Sequence, residues 1–212
     1  MLLGLGSGRA VWALIDVLGR RWAGRPHRAV VASARTAARA RAAGFEVVDL
    51  GGGVRIDVAV DGADQLDAGL ALIKGHGEAL LREKLVVGAA GRFVVVAERA
   101  KLAGRLGDGC TLPVEVVRFA WPETRTRVRA LLPDARLRLD AAGIPVVTDE
   151  GHHLLDGTIP PEADPRALAT RLKATLGVIE HGLFLDQADE AILGSPDGSV
   201  DVITRPGGKE SP

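Results

Sequence analysis

Leu2-Leu3-Gly4-Leu5-Gly6-Ser7-Gly8-Arg9-Ala10 is the stretch on which the fold turns. An apolar strand, Leu2–Leu5, runs straight into Gly6-Ser7-Gly8 and then into an amphipathic helix from about Ala10 to Arg20. The helix is read from Val11, Leu14, Ile15 and Leu18, which recur at helical spacing. Outward from there, His27–Ser33 reads as a second strand, Arg35–Ala43 as a helix stopped by Gly44, and Phe45–Leu50 as a third strand. After the turn Gly51-Gly52-Gly53 comes a fourth strand, Ile56–Val60, ending at Asp61. A helix from about Glu78 to Ala90 then precedes the strand Phe93–Ala97. Such alternation implies βαβ units, a mostly parallel sheet and right-handed crossovers. Ligands of these sheets gather at the carboxyl ends of the strands, where Ser7, Ser33 and Asp61 all lie. One shared cleft is the economical expectation.

Composition agrees. The 212 residues are 47% hydrophobic, with Ala, Val and Leu in excess and aromatics at only 3%. Strands buried on both faces of an α/β sheet have that character. Lys plus Arg (27) balance Asp plus Glu (27), so no general field draws in nucleic acid or a membrane surface. Any anion must be held locally. Cys110 is the only cysteine, which excludes an intrachain disulfide and fits a reducing compartment. Met1–Leu5 lacks the basic flank of a signal peptide, and no apolar run approaches the roughly 20 residues that span a bilayer. The expectation is a cytoplasmic protein.

After Pro113 the pattern changes. Trp121–Leu132 reads as a helix, and Arg136–Leu139, Pro145–Thr148 and His153–Leu155 as short strands between turns. Asp164–Thr175 is a helix with Pro in its first turn, and Val178–Leu185 a further strand. This suggests a small α+β unit packed on the first. Ala191–Leu193 and Ser199–Thr204, around the turn Ser195-Pro196-Asp197-Gly198, return to the main sheet.

The chemistry concentrates in Val60-Asp61-Gly62-Ala63-Asp64, Ile73-Lys74-Gly75-His76-Gly77 and Arg82-Glu83-Lys84. Carboxylates, a cation and glycine-rich backbone N–H groups are the inventory for moving a proton next to a carbonyl. An enzyme is therefore favoured over a plain binding domain. Each piece also has a blander reading. Asp61 and Asp64 suit an Asp-rich turn whose side chains cap the backbone. Glu83, between Arg82 and Lys84, by itself reads as a solvated helix residue. The Gly4–Arg9 turn suits phosphate at a helix N-terminus or a tight turn without ligand. It fails the dinucleotide fingerprint, because the third required Gly is Arg9 and Ser33, not an acid, ends the next strand. Five scattered histidines lack ligand spacing, so no metal site is expected, and no Gly-x-Ser-x-Gly elbow supports a serine hydrolase.

Together these segments closely resemble the type A ribose-5-phosphate isomerases. The resemblance rests on Gly4–Gly8, Val60–Asp64, Ile73–Gly77, Leu80–Leu85, Phe93–Lys101 and Leu112–Val116. It continues through Val147-Thr148-Asp149, Gly177–Phe184 and Gly194–Gly198. It implies a Rossmann-like α/β domain and a smaller ferredoxin-like α+β domain, in agreement with the break after Pro113, which places them at 1–117 with 188–205 and at 118–187. The polar end of the chain reads by itself as a flexible tail (206–212). The resemblance also implies a homo-oligomer, dimer or tetramer, with no required cofactor, acting on a sugar phosphate of the pentose phosphate pathway. By motif, Glu83 would be the base that shuttles a proton between C1 and C2, and Asp61 would assist ring opening. Lys74 and Asp64, with the Gly75 and Gly77 amides, would surround the charge that develops on oxygen. Ser7, Gly8, Arg9 and Ala10 would lie along the substrate, with Gly62, Ala63 and His76 beside it and Lys101 at its phosphate end.

The chain departs from the family pattern in places. Where the family reads Gly-Thr-Gly-Ser-Thr, this chain has Ser7-Gly8-Arg9-Ala10, so two hydroxyls are gone. Arg9 substitutes as phosphate partner, or the substrate differs. The family's first helix precedes the strand on which this chain opens. The Ser-rich stretch after the second strand is thinned to Ser33-Ala34-Arg35-Thr36, and Gln65 replaces a Glu. The alternatives are an isomerase of another sugar phosphate and a non-catalytic sugar-phosphate sensor.

Overall fold

The structure, a computed structural model, describes residues 1–205; the tail expected at 206–212 lies outside them. The chain opens with β1 (Leu2–Leu5), α1 (Arg9–Arg21), β2 (His27–Val31), α2 (Ala34–Ala42) and β3 (Phe45–Val47). Next come β4 (Val58–Asp61), the two-residue strands β5 (Gln65–Leu66) and β6 (Leu72–Ile73), α3 (Leu80–Gly88) and β7 (Phe93–Glu98). Then follow β8 (Leu112–Val116), α4 (Trp121–Val128), β9 (Arg136–Leu137), β10 (His153–Gly157) and α5 (Pro165–Lys173). The last described strands are β11 (Val178–His181), β12 (Leu183–Phe184), β13 (Glu190–Gly194) and β14 (Val200–Thr204).

Seven strands form the main sheet in the order β14-β13-β7-β4-β1-β2-β3. Every neighbouring pair is parallel except β13–β14, as the alternating strand–helix pattern implied. Side chains leave alternate faces of each strand. On one face Leu3, Leu5 and Ala29 pack with Val11 and Ile15 of α1 and Ala40 of α2. On the other, Val30, Ala59, Phe93 and Val95 pack with Val86 and Val87 of α3. The spacing of Val11 and Ile15, one helical turn apart, is what turns α1 onto the sheet. Full burial of one such side chain contributes about 1.5–3 kcal/mol. Ser33, expected as the end of a strand, instead caps α2, its Oγ accepting the Thr36 N–H.

A second, antiparallel sheet has the order β11-β8-β10-β9. Its core joins Val114 and Leu155 to Val128 and Leu132 around α4, and to Leu168 and Leu172 of α5. α5 starts on Asp164, whose carboxylate accepts the Ala167 N–H, followed by Pro165. β8 pairs in this second sheet, although a boundary at 117 assigns Leu112–Val116 to the first unit. All five of its residues are buried, and a continuous apolar strand does not reveal which sheet it joins. Pro145–Thr148, expected as a strand, contributes only a bridge from Pro145 to Leu139.

The expected strand Val178–Leu185 is two strands in different sheets. β11 pairs with β8, whereas β12 pairs with β6 in a small third sheet of order β12-β6-β5. The crossing point is Gly182, where a Cβ would lie 2.1 Å from the Lys74 carbonyl oxygen. Only glycine fits there. That close approach lets Lys74 N–H donate to Gly182 O at 2.9 Å, so the third sheet delivers Lys74 to the ends of the main-sheet strands. Among the described residues no helix is long and apolar enough to cross a membrane.

Candidate active site

Asp61 is the last residue of β4, and its carboxylate turns back under the glycine turn that follows β1. Its Oδ1 accepts N–H bonds from Gly62 (2.7 Å) and Ser7 (3.2 Å). Gly6 makes this possible, since a Cβ there would sit 1.9 Å from the Asp61 carboxylate. Ser7 Oγ lies 3.0 Å from Ser33 Oγ, which donates to Thr36 Oγ1, and Thr36 Oγ1 also accepts from Trp12 Nε1. The turn is thus tied to the start of α2 by side chains.

Lys74 emerges from β6 directly opposite. Its Nζ donates to Gly62 O at 2.7 Å and lies 2.9 Å from Asp61 Oδ2 and 3.2 Å from Glu83 Oε2. Glu83 reaches the ammonium from the first turn of α3. All three side chains are buried, with Asp61 1%, Lys74 3% and Glu83 3% exposed. Glu83 is therefore no solvated helix residue. It occupies the inward stripe of α3 beside Leu80, Val86 and Val87, and a charged residue on an apolar stripe is a signal the sequence carried.

One buried cation faces two buried carboxylates, and the imbalance sets their proton affinities. Burial, then the neighbouring Asp61 charge, pushes the Glu83 carboxyl up to about 8, against the pull of Lys74. Burial also raises Asp61, while Lys74 and the Gly62 and Ser7 N–H groups pull it back. The two carboxyls share one cation, so their ionisations are linked, and burial pushes both upward against the pull of Lys74. Lys74 is held above the ordinary lysine range; burial alone would lower it, but Asp61 and Glu83 outweigh that. The site contains a permanent ammonium beside a carboxyl that ionises near neutrality.

A cleft of about 270 Å³ opens over this triad. Ser7, Gly8, Arg9 and Ala10 line one wall, and Gly62, Ala63 and Asp64 the floor, with Lys74, Gly75, Gly77 and Glu83. Lys101, in a short turn after β7, closes another side. Asp64 accepts the His76 N–H at 2.9 Å. Two expected residues stand apart from the lining. Asp61 lies beneath it, and the His76 ring turns away so that Nε2 is 3.0 Å from Thr111 O. Trp12 and Glu98 line the cleft and were not singled out from sequence. Glu98 ends a parallel strand, a position that sheet topology marks. Trp12 gave no comparable signal. Among the described residues no group of three or more His, Cys, Asp or Glu side chains is arranged to hold a metal ion.

A buried acid–base triad at the strand ends of a parallel sheet, below a cleft edged with amides and cations, defines an α/β protein equipped for proton transfer. Comparison with known proteins narrows the class. The profile of ribose 5-phosphate isomerase A (phosphoriboisomerase A) matches residues 28–198. A ribose-5-phosphate isomerase A from Synechococcus sp. (strain JA-3-3Ab) is 45% identical over 201 residues, covering 93% of this chain and 87% of that protein. Among solved structures, the ribose 5-phosphate isomerase from Plasmodium falciparum superimposes with a TM-score of 0.90 at 29% identity, covering 96% of this chain and 90% of that one. A D-ribose-5-phosphate isomerase in complex with phospho-erythronic acid gives a TM-score of 0.90 at 34% identity, covering 97% and 91%. The chain belongs to the ribose 5-phosphate isomerase A family.

Proposed function

We propose that this protein interconverts ribose 5-phosphate and ribulose 5-phosphate by proton transfer through an enediolate. The observation that carries the reading is the Lys74 ammonium, buried between Asp61 and Glu83 at 2.9 and 3.2 Å. In this scheme the Glu83 carboxylate removes the proton from C2 of the open-chain aldose. The C–H electron pair forms the C1–C2 double bond, and the carbonyl electrons move to O1. Lys74 and the amides of Gly75 and Gly77 stabilise that oxygen. Asp61 assists ring opening and relays the hydroxyl proton from O2 to O1. Protonated Glu83 then returns its proton to C1 as the O2 carbonyl forms. A placed base of this kind contributes about 10²–10⁴-fold.

Arg9, Lys101 and the N–H groups at the start of α1 take the phosphate, with Ser7, Gly8, Ala10, Gly62, Ala63 and Asp64 around the sugar. The main sheet with its helices forms the catalytic unit, and the α+β unit supports it. The protein acts in the cytoplasm as a homo-oligomer and needs no cofactor. Balanced charge and a single cysteine support that setting.

The test is conversion of ribose 5-phosphate to ketose by purified protein with chelator present. Turnover is expected, and its absence would end the proposal. The hydroxyl-poor turn Ser7-Gly8-Arg9-Ala10 favours one competing reading, an isomerase of a different sugar phosphate. A panel of phosphorylated aldoses decides between them, the substrate with the highest kcat/KM being the physiological one.

A further inference from the structure

The 75–77 loop is gripped from outside the cleft by a side chain that the proton transfer does not touch. Arg138 follows β9, and its N–H donates to Leu154 O at 2.8 Å, so its backbone continues the second sheet. Its Nη1 donates to Gly75 O at 2.9 Å and to His76 O at 3.3 Å. The rest of the guanidinium is held by Asp156 of β10, with Nε donating to Oδ2 at 2.8 Å and Nη2 to Oδ1. Both side chains are largely buried, at 12% and 15% exposed. Such a two-pronged pair fixes the guanidinium plane as well as its charge.

A trans peptide carries its N–H opposite its C=O. In the Gly75–His76 peptide, Arg138 takes the carbonyl and Asp64 takes the N–H at 2.9 Å, so the unit is held at both ends. In the next peptide Arg138 takes the His76 carbonyl, which directs the Gly77 N–H away from the guanidinium. That N–H has no partner among the described residues, and Gly77 lines the cleft. A cation bonded to one end of a peptide polarises it and strengthens the donor at the other end.

We propose that Arg138, fixed by Asp156, is a positioning residue that orients and polarises the Gly77 amide toward the oxygen that becomes negative in the enediolate. The inference rests on the isomerase reading above. It makes the second sheet part of the catalytic apparatus, although neither side chain touches a reacting atom.

Arg138→Ala, Arg138→Lys and Asp156→Asn test it beside the wild type. Loss of one oxyanion donor costs about 10²–10³-fold in kcat, and the lower end is expected for Arg138→Ala, with KM for ribose 5-phosphate changed less than about threefold. Binding of phospho-erythronic acid, whose planar carboxylate carries charge as an enediolate would, should weaken in parallel with kcat. Binding of inorganic phosphate should not. Lysine lacks the fork that holds Asp156 and both carbonyls, so Arg138→Lys should recover less than about tenfold of the lost rate. Folded Arg138→Ala with kcat within about twofold of wild type, or with the loss confined to KM, overturns the proposal. If that variant does not fold, the near-isosteric Asp156→Asn decides. A kcat lower by about tenfold at unchanged Tm supports the clamp, and an unchanged kcat overturns it. An inactive wild type would remove the isomerase reading and this inference together. An active wild type with indifferent variants removes only the inference.

Discussion

The two ends of the cleft are built on different principles. At the inner end Asp61, Lys74 and Glu83 are almost fully buried, and each comes from a different place: the end of β4, the residue after β6, and α3. At the outer end Arg9 is exposed on the first turn of α1, and Lys101 sits half-buried after β7. Burial makes the inner charges strongly interdependent, because low local dielectric amplifies every pairwise term. The outer charges work in a screened setting, where one cation is readily exchanged for other groups. On the proposed reading, the outer end of the cleft can vary its phosphate contacts while the inner cluster stays intact.

The sharpest way to break the comparison is Glu83→Gln. It should lower kcat by about 10²–10⁴-fold while a phosphosugar still binds, since the amide keeps the shape and loses the base. Near-normal turnover would remove Glu83 from its role. Lys74→Met comes next, and it leaves the buried Asp61–Glu83 pair without its cation. Breaking such a pair costs about 3–5 kcal/mol, so the denaturant midpoint should drop together with activity. A variant as stable as the parent would mean that the triad is not electrostatically coupled.

The pH profile is the third probe. Glu83 acts as a base only when ionised, and its carboxyl is pushed up to about 8. Below that value kcat/KM should fall about tenfold per pH unit, and above it the profile should level. Lys74, held above its ordinary range, adds no descending limb near neutrality. A profile flat from pH 6 to 9, to within about twofold, would contradict the assignment. The smallest effect belongs to the outer end. Arg9→Ala should raise KM by no more than about fivefold with kcat unchanged, as expected for an exposed ion pair. A loss in kcat instead would show that the two ends are coupled.

Much of this was legible in the chain. The strand-to-helix turn at Gly6–Gly8 and the later alternation specified the parallel sheet, because both rest on local periodicity. The motifs around Asp61, Lys74 and Glu83 marked the inner end, though Asp61 and Glu83 each also fitted a bland role. Burial separated those readings, and burial depends on packing between segments far apart in sequence. β5 and β6 were not legible, since two-residue strands carry no period, and β12 was read only as the continuation of β11. Without them only the family resemblance, and no local pattern, brought Lys74 to the glycine turn. Arg138 escaped notice for the same reason. Its partners lie 62 and 63 residues away, and its own neighbourhood reads as an ordinary basic strand end.

Gly6 has a practical corollary for anyone re-engineering this scaffold. With the Asp61 carboxylate occupying the volume where a side chain would start, the turn divides into one immovable pivot and two editable neighbours, Arg9 and Ala10. Libraries aimed at new phosphorylated substrates belong at those two sites, where diversity can be explored without disturbing the buried Asp61–Lys74–Glu83 cluster underneath.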